Sequence, residues 1–577
     1  VIITNYEDAA QFVEGTKRLV TDIETTGLGL ENELIGIAVR DYDRKESAFI
    51  VVNHPDSEGL SMEDVKAFFD GYEGTTIWHN AAFDVKYFKY NGIVITGYHC
   101  TMLMAANLGF LVKEAGMDYL ARKLLGVDTT TYASVVYENW EGPVTKKGEP
   151  RLKKDRTLTL QDVELSKVAD YAIEDVDVTA DLYTKFIASM KRNKYVRAAY
   201  QMDLRTCAAL IEVELRGMYV DADELKDYII EIGEEVTKEQ LALSEELGDI
   251  NLNSPAQLKT ALNERIRPTI ASTSKDVLAA HKDPICQRVS SYKGIVKLQG
   301  MADKLSIMCN PITGRLHGNY NLHITATSRM SSSNPNMQNI NSEVRRAFTA
   351  TDGNVLVVSD YSGQEVRVYA ELMSCEVLTP LLHEGVDPHE VTTETLSHQF
   401  GIDVIRRVAK EIFFGIMYGQ SAYGLAYRLG IEQEEAQEII DAVLTMYPSL
   451  KEYTKQQAKM CYDKGYVQTL SGRPILIKGA RSGDQATRSR AIRQACNAPM
   501  QGTGADMIKL AVIQLVKEGF ALTGVVHDET ITEVVKKTAE ERQERIVKIM
   551  VDEGAVLCPS VPIVVDSKIC NNWKEGK

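Results

Sequence analysis

The chain has no apolar run approaching the ~20 residues that cross a bilayer. Its opening, VIITNYEDAAQFVEG, has neither a basic leader nor an apolar segment of the secretory kind. Neither a membrane partner nor secretion is therefore expected, and the setting read from these absences is intracellular. The first residue is Val rather than Met, which points to a fragment or a processed start. The nine cysteines form no C-x-x-C pair and are odd in number, so neither a disulfide framework nor a structural zinc site is expected. Internal repeats and low-complexity tracts are missing as well. Positive charge is in deficit: 65 Lys and Arg face 81 Asp and Glu, a formal net charge of −16. As a bare sum this opposes nucleic-acid binding, which is driven by basic surface and counterion release. Distribution matters more. Acidic residues crowd DADELKDYIIEIGEEVTKEQLALSEELGD and basic ones crowd VRRAF, RRVAK and RSGDQATRSRAIRQ, so a basic track could sit on an acidic body.

What is present is an ordinary soluble mix, 44% hydrophobic and 25% charged, in 577 residues. That length exceeds one core and suggests roughly three to four domains. Residues 1 to about 195 alternate strand-like runs (RLVTDIET, LIGIAVR, SAFIVV, TIWHN) with helix-like ones (MEDVKAFFDGY, NAAFDVKYFKYNG), an α/β pattern interrupted by the basic loop VTKKGEPRLKKDR. From about 200 to 310 the chain reads as long amphipathic helices forming an elongated lobe. Beyond 315 it is mixed: a strand at NVLVVSDYS, helices through 376 to 460, a hairpin-like turn at TLSGRPILIKG, a helix at 486 to 518, and a strand pair around GVVHDETITEVV.

Asp22 and Glu24 in VTDIETTG stand two apart on a strand, so both carboxylates point to one face and repel unless a cation lies between them. HNAAFD adds Asp84 at the start of a helix, and YAIEDVD adds Tyr171 and Asp175 one helical turn apart. Taken singly, each is ordinary solvated charge. Jointly, four carboxylates and a phenol near the strand ends of an α/β sheet suit two Mg²⁺-class ions about 3.5–4 Å apart, and hydrolysis of a phosphodiester. DIETTG, N-x-x-x-D from Asn80 to Asp84 and Y-x-x-x-D from Tyr171 to Asp175 resemble the three motifs of DEDDy-type 3′→5′ exonucleases, the proofreading domains of DNA polymerases among them. The resemblance implies that Asp22, Glu24, Asp84 and Asp175 hold metal, that Tyr171 positions the attacking water, and that a single-stranded DNA 3′ end is the substrate.

Two later acids have a different context. Asp360 ends the buried-type strand VLVVSDYS and Asp528 stands at a strand tip in GVVHDET, followed by Glu529. An unpaired buried carboxylate costs several kcal/mol, which a shared pair of divalent ions would offset. In RRVAKEIFFGIMYGQ, Arg406, Lys410, Phe414 and Tyr418 recur every four residues, a stripe of two cations and two aromatics as long as a nucleotide. By itself that segment reads more simply as a solvated margin. R-x-x-x-K-x-x-x-F-G-x-x-Y-G, D-Y-S-x-x-E and H-D-E together resemble the fingers and palm motifs of family A DNA polymerases. TSRMSSSNPNMQNI, RQACNAPMQGTGADMIK and the D-x-H at Asp387 to His389 extend the likeness along the chain.

That resemblance implies a multidomain α/β protein: an RNase H-like exonuclease domain over 1–195, then a right-hand polymerase domain over 196–577. Within the latter it places the thumb at about 200–315, the palm at about 316–375 and 519–577, and the fingers at about 376–518. It implies Asp360 and Asp528 as metal ligands, assisted by Glu529, and His389, Arg406 and Lys410 as triphosphate contacts, with Lys410 the proton donor to pyrophosphate. Glu365 becomes the steric gate beside Tyr418. Phe414 packs on the sugar and implies discrimination against dideoxynucleotides. Arg329, Asn336, Gln338, Arg493, Asn497, Gln501 and His527 face primer or template, where minor-groove donors can test base-pair geometry without reading sequence. The implied cofactors are two Mg²⁺ in each site, with Mn²⁺ as the alternative. The implied partners are primer–template DNA and dNTPs, with a helicase or another replisome protein open.

Motif A reads DYSGQE rather than the commoner DYSQIE, so Gly363 is expected to loosen the strand-to-helix turn. The thumb lacks the insertion by which some phage relatives bind thioredoxin. With no room upstream for a 5′ nuclease domain, no flap cleavage is expected. The expected setting is the cytoplasm of a bacterial or phage-infected cell, with an organelle matrix as the other. A single-subunit RNA polymerase shares the palm, but its second palm motif typically reads H-D-S and it lacks both the exonuclease and the Glu365 gate. A scaffold with a dead site is opposed by the full set of acids and cations.

Overall fold

Aliphatic and β-branched runs draw residues 2–100 into a mixed sheet of six strands: β1 (Ile2–Ile3), β2 (Arg18–Thr25), β3 (Leu34–Asp41), β4 (Glu46–Val51), β5 (Thr75–Trp78) and β6 (Tyr98–Cys100), in the order β1-β4-β3-β2-β5-β6. The structure is a computed structural model that describes residues 1–138, 158–400 and 405–576. The basic loop VTKKGEPRLKKDR lies outside them. β2 is central, antiparallel to β3 and parallel to β5. Helix α1 (Ala81–Tyr90) follows β5, and the long α2 (Leu165–Lys191) packs across β2, β3 and β4. The acid-bearing strand is thus flanked by a strand on either side and covered by α2.

The lobe that follows is helical, as its amphipathic pattern predicts. Its main helices are α3 (Lys194–Arg216), α4 (Ala222–Leu247) and α5 (Pro284–Met308). Each begins at a side-chain cap, Asn193, Asp221 and Asp283, which accepts the orphan N–H groups of the first turn. α4 and α5 pack along each other, and the tip of the lobe has its own small core around Leu258, Leu262, Val289 and Tyr292.

A second sheet, fully antiparallel, runs β8-β9-β7-β10, with β7 at Asn354–Tyr361, β8 at Ala521–Val526, β9 at Glu529–Val535 and β10 at Val565–Cys570. Around it stand α6 (Gln364–Leu372), α7 (Pro388–Phe400), α8 (Arg406–Met417), α9 (Gln485–Lys517) and α10 (Ala539–Leu557). The turn between β7 and α6 passes through Gly363 at φ 59°, the left-handed region that glycine enters without steric cost. Gly363 therefore fits this turn rather than loosening it.

A neutral tetrad of buried charges ties the lobes together. Arg473, in the hairpin formed by Tyr466–Gln468 and Pro474–Leu476, reaches Asp203 of α3 at 2.8 Å and Asp506 of α9 at 2.8 Å, and Lys509 reaches Asp203 at 2.7 Å. Asn107, between β6 and α2, donates to the same Asp203 at 2.8 Å. Burial alone would raise the Asp203 carboxyl; Arg473 and Lys509 reverse that and hold it below the usual carboxylate range.

Candidate active sites

The first site forms on β2. Oxygens of Asp22, Glu24 and Asp175 all lie within 4.8 Å of one another, and among the described residues this is the one such group of three or more potential ligands. Asp175 comes from α2, whose Tyr171, one turn earlier, hydrogen-bonds it. Asp84, buried in the first turn of α1, stands outside that 4.8 Å group. It still raises the carboxyls of Asp22 and Glu24 through its charge, second to the effect of their burial for Asp22. Burial also pushes Asp84 and Asp175 up to about 8. Like charges packed this tightly resist ionisation until a cation joins them. The donors are all hard oxygens, which fits Mg²⁺ or Mn²⁺. Asp22, Glu24, Asp175 and Tyr171 thus come together, with Asp84 outside the group but near enough to act on it by charge.

The second site is a cleft of about 850 Å³. Of the residues expected from sequence, Arg329, Glu365, Lys410, Phe414, Tyr418, His527 and Asp528 line it. β8 and β9 meet in a two-residue turn of His527 and Asp528, with Val526 paired to Glu529. His527 holds φ 59° there, a position where glycine is usual, and strain of this kind collects at functional sites. Asp360 lies beside this turn: it pairs in register with Glu529, and the next N–H, of Tyr361, points to the Asp528 carbonyl at 3.4 Å. Glu365 accepts from the Tyr418 hydroxyl and from Arg329 at 3.2 Å. The rings of Phe414 and Tyr418 stack at 5.9 Å.

Several expected residues lie elsewhere. Arg406 does not line the cleft; it pairs with Asp387 and stands 3.8 Å from Glu390. Steps of four drift about 40° each on a helix, so Arg406 is rotated ~120° from Tyr418. Arg407, which the four-step pattern passes over, does line the cleft beside Glu411. Spacing of three and four, rather than strict fours, would have found it. His389 is buried against Phe413 and Phe414, and its Nδ1 has no hydrogen-bond partner among the described residues. Asn336 caps the turn Met337–Asn339, and Gln338 is buried within it. Arg493, Asn497 and Gln501 form a four-step stripe along α9 outside the cleft lining, with Arg493 packed against Gly419. Arg428 and Gln364 are lining residues that no motif singled out.

The comparisons agree with this geometry. The family profile for 3′-5′ exonuclease matches residues 1–191, and that for DNA polymerase family A matches residues 222–575. DNA polymerase I of Rhizobium leguminosarum is 30% identical across 96% of this chain and 59% of its own length. That of Pseudomonas aeruginosa is 30% identical across 98% of this chain and 64% of its own. The chain thus spans less than two thirds of the length of these relatives. The thermostable DNA polymerase I of Thermus aquaticus is 35% identical over 64% of this chain and 47% of its own. A solved structure, the POL domain of Pol1 from M. smegmatis in complex with DNA primer-template and dNTP, shares the fold with a TM-score of 0.84 at 23% identity, each chain fully covered. Among the described residues no helix is long and apolar enough to cross a membrane. Two acid-bearing sheets, one with a buried carboxylate cluster and one beside a cleft lined by cations and stacked aromatics, and a profile match over most of the length place the chain in DNA polymerase family A, with a 3′-5′ exonuclease domain preceding the polymerase domain.

Proposed function

We propose that the chain is a DNA-templated DNA polymerase with 3′→5′ proofreading, acting in replication or repair in the cytoplasm of a bacterial or phage-infected cell. In this reading residues 1–195 are the exonuclease and 196–577 the polymerase, with thumb, palm and fingers at about 200–315, 316–375 with 519–577, and 376–518. The carrying observation is the meeting of Asp528, Lys410, Phe414, Tyr418 and Glu365 in one cleft, away from a second acid cluster on β2. Primer–template DNA and dNTPs are the proposed partners there, and a single-stranded 3′ end is the proposed substrate on β2. A helicase or another replisome protein is a further proposed partner.

Asp360 and Asp528 are the proposed holders of Mg²⁺ in the cleft, with Glu529 adjacent, and Asp22, Glu24, Asp84 and Asp175 those on β2. Divalent ions so held supply charge neutralisation and lower the pKa of the attacking oxygen. The residues do the rest. Lys410 sits where it can neutralise the triphosphate and return a proton to pyrophosphate; Arg407 adds positive charge on the same wall. Arg406 and His389 are further proposed triphosphate contacts, with Arg406 paired to Asp387 in this structure. Phe414 and Tyr418 offer stacked faces to sugar and base, and Tyr171 orients water beside Asp175. His527, at the hairpin tip, and Arg329, Asn336, Gln338, Arg493, Asn497 and Gln501 are the proposed primer and template contacts.

Glu365 is held by Tyr418 and Arg329 at the cleft wall, which supports its reading as the gate against a ribose 2′-OH. On a primed template with Mg²⁺, the parent should extend with dNTPs and reject rNTPs. Glu365→Ala should raise rNTP use relative to dNTP use by roughly 10–200-fold, the range that one steric contact commands. Equal rNTP and dNTP use by the parent would instead favour an RNA polymerase.

A further inference from the structure

Glu529 follows Asp528 and pairs in register with Asp360, yet it is fully buried, with 0% of its surface exposed. Its Oε1 accepts the indole N–H of Trp573 at 2.8 Å. The Arg345 guanidinium stands 4.0 Å from the same oxygen and lies 4.0 Å over the indole ring. Trp573 is itself fully buried and fastened from behind: its backbone N–H donates to the Phe348 carbonyl at 2.8 Å, and its ring meets Phe348 edge-on at 5.6 Å. Three residues on, Gly576 approaches β7 so closely that a Cβ there would lie 2.6 Å from Val358 Cγ2. Val358 precedes Asp360 by two residues and so shares its face of the sheet. The turn Trp573–Gly576 is thus braced beneath the strands that carry Asp360 and Glu529.

A buried Trp serves a core well, and its N–H needs only some acceptor. Here that donor goes to the carboxylate next to Asp528, with a cation stacked on the ring. Hydrogen bonds of this kind fix the direction of an acid and stop it from rotating toward a neighbouring cation. We propose that Trp573, backed by Arg345, is a positioning residue for the polymerase reaction: it locks Glu529 and thereby sets the spacing of Asp360 and Asp528. The inference rests on the polymerase reading above and goes beyond it, because Trp573 is fully buried and stands outside the cleft lining.

Trp573→Phe keeps the buried ring and removes the donor. In the full chain, kcat for primer extension should fall roughly 10–100-fold, the usual cost of losing a group that orients a metal ligand. KM for dNTP should stay within about twofold, and half-saturation by Mg²⁺ should move to higher concentration. Single-strand 3′→5′ degradation should be unchanged, since β2 is a separate sheet. In a Glu529→Gln background, adding Trp573→Phe should cost no more than about twofold further, because the two side chains act as one unit. Parent-like extension and Mg²⁺ dependence in Trp573→Phe, or an equal loss of both activities with a lowered melting temperature, would overturn the inference alone. A parent chain that extends no primer would overturn the polymerase reading, and this inference with it.

Discussion

Asp528→Asn should reduce primer extension by roughly 10³-fold or more while 3′→5′ degradation of a labelled single strand continues at the parent rate. The substitution keeps the shape but removes one negative charge at the tip of the β8–β9 turn and turns one acceptor oxygen into a donor. A loss of that size corresponds to about 4 kcal/mol of transition-state stabilisation, within the several kcal/mol that a well-held divalent ion contributes. Asp528 lines the cleft with Lys410 and Glu365, so its charge sits where the triphosphate and primer end would meet. The retained exonuclease activity is the internal control for folding. A parallel fall in both activities would point to collapse of the palm rather than to loss of a metal ligand. An Asp528→Asn chain that extends primers at the parent rate would remove Asp528 from the chemistry.

The mirror result is expected on β2. Asp22→Ala with Glu24→Ala should suppress degradation from the 3′ end by a similar factor, roughly 10³-fold, and leave extension of a matched primer intact. The electrostatics of this cluster add a readout that needs no substrate. Asp84 and Asp175 have ordinary values of 3.8, and burial raises both to about 8 in the folded chain. A raised carboxyl favours the protonated folded form. Its stabilising contribution is full below pH 3.8 and is lost as pH rises through about 8. With divalent ions stripped by a chelator, the melting temperature of the parent should therefore drop by several degrees between pH 5 and pH 8. Mg²⁺ added at pH 8 should restore it, because the ion stabilises the ionised carboxylates it binds. Asp22→Ala with Glu24→Ala should abolish the rescue by Mg²⁺, since two of the proposed ligands are gone, and should lessen the pH effect only in part, because burial still raises Asp84. A parent whose melting is indifferent to Mg²⁺ at pH 8 would argue against a divalent site on β2.

Much of this was legible in the residues. The two-residue step from Asp22 to Glu24 on a strand, the buried run ending in Asp360, and the helical lobe after residue 200 follow from side-chain period alone, and each appears in the structure. Local pattern also placed Asp528 at a strand tip. What it could not supply were angles and distant partners. Arg406 and Arg407 differ by about 100° around a helix, and repetition in fours passes over Arg407, the one of the two that lines the cleft. Trp573 is 44 residues from Glu529, and an isolated Trp near Gly and Lys reads as core or surface until the sheet brings the two together. The same holds for Asp203 and Arg473, separated by 270 residues, whose pairing makes sense only once the hairpin at 466–476 packs on α3. Sequence periodicity reports which side of its own element a residue occupies. Which other element covers that side is a tertiary fact.

Two separate acid clusters that each gather divalent ions would be seen by soaking crystals of the chain with primer–template and an unreactive dNTP analogue in Mn²⁺ and locating the metal by anomalous scattering. Density is expected between Asp360 and Asp528 and again among Asp22, Glu24 and Asp175. Asp360 and Asp528 turned apart, with no metal peak between them while the nucleotide analogue is bound, would contradict it.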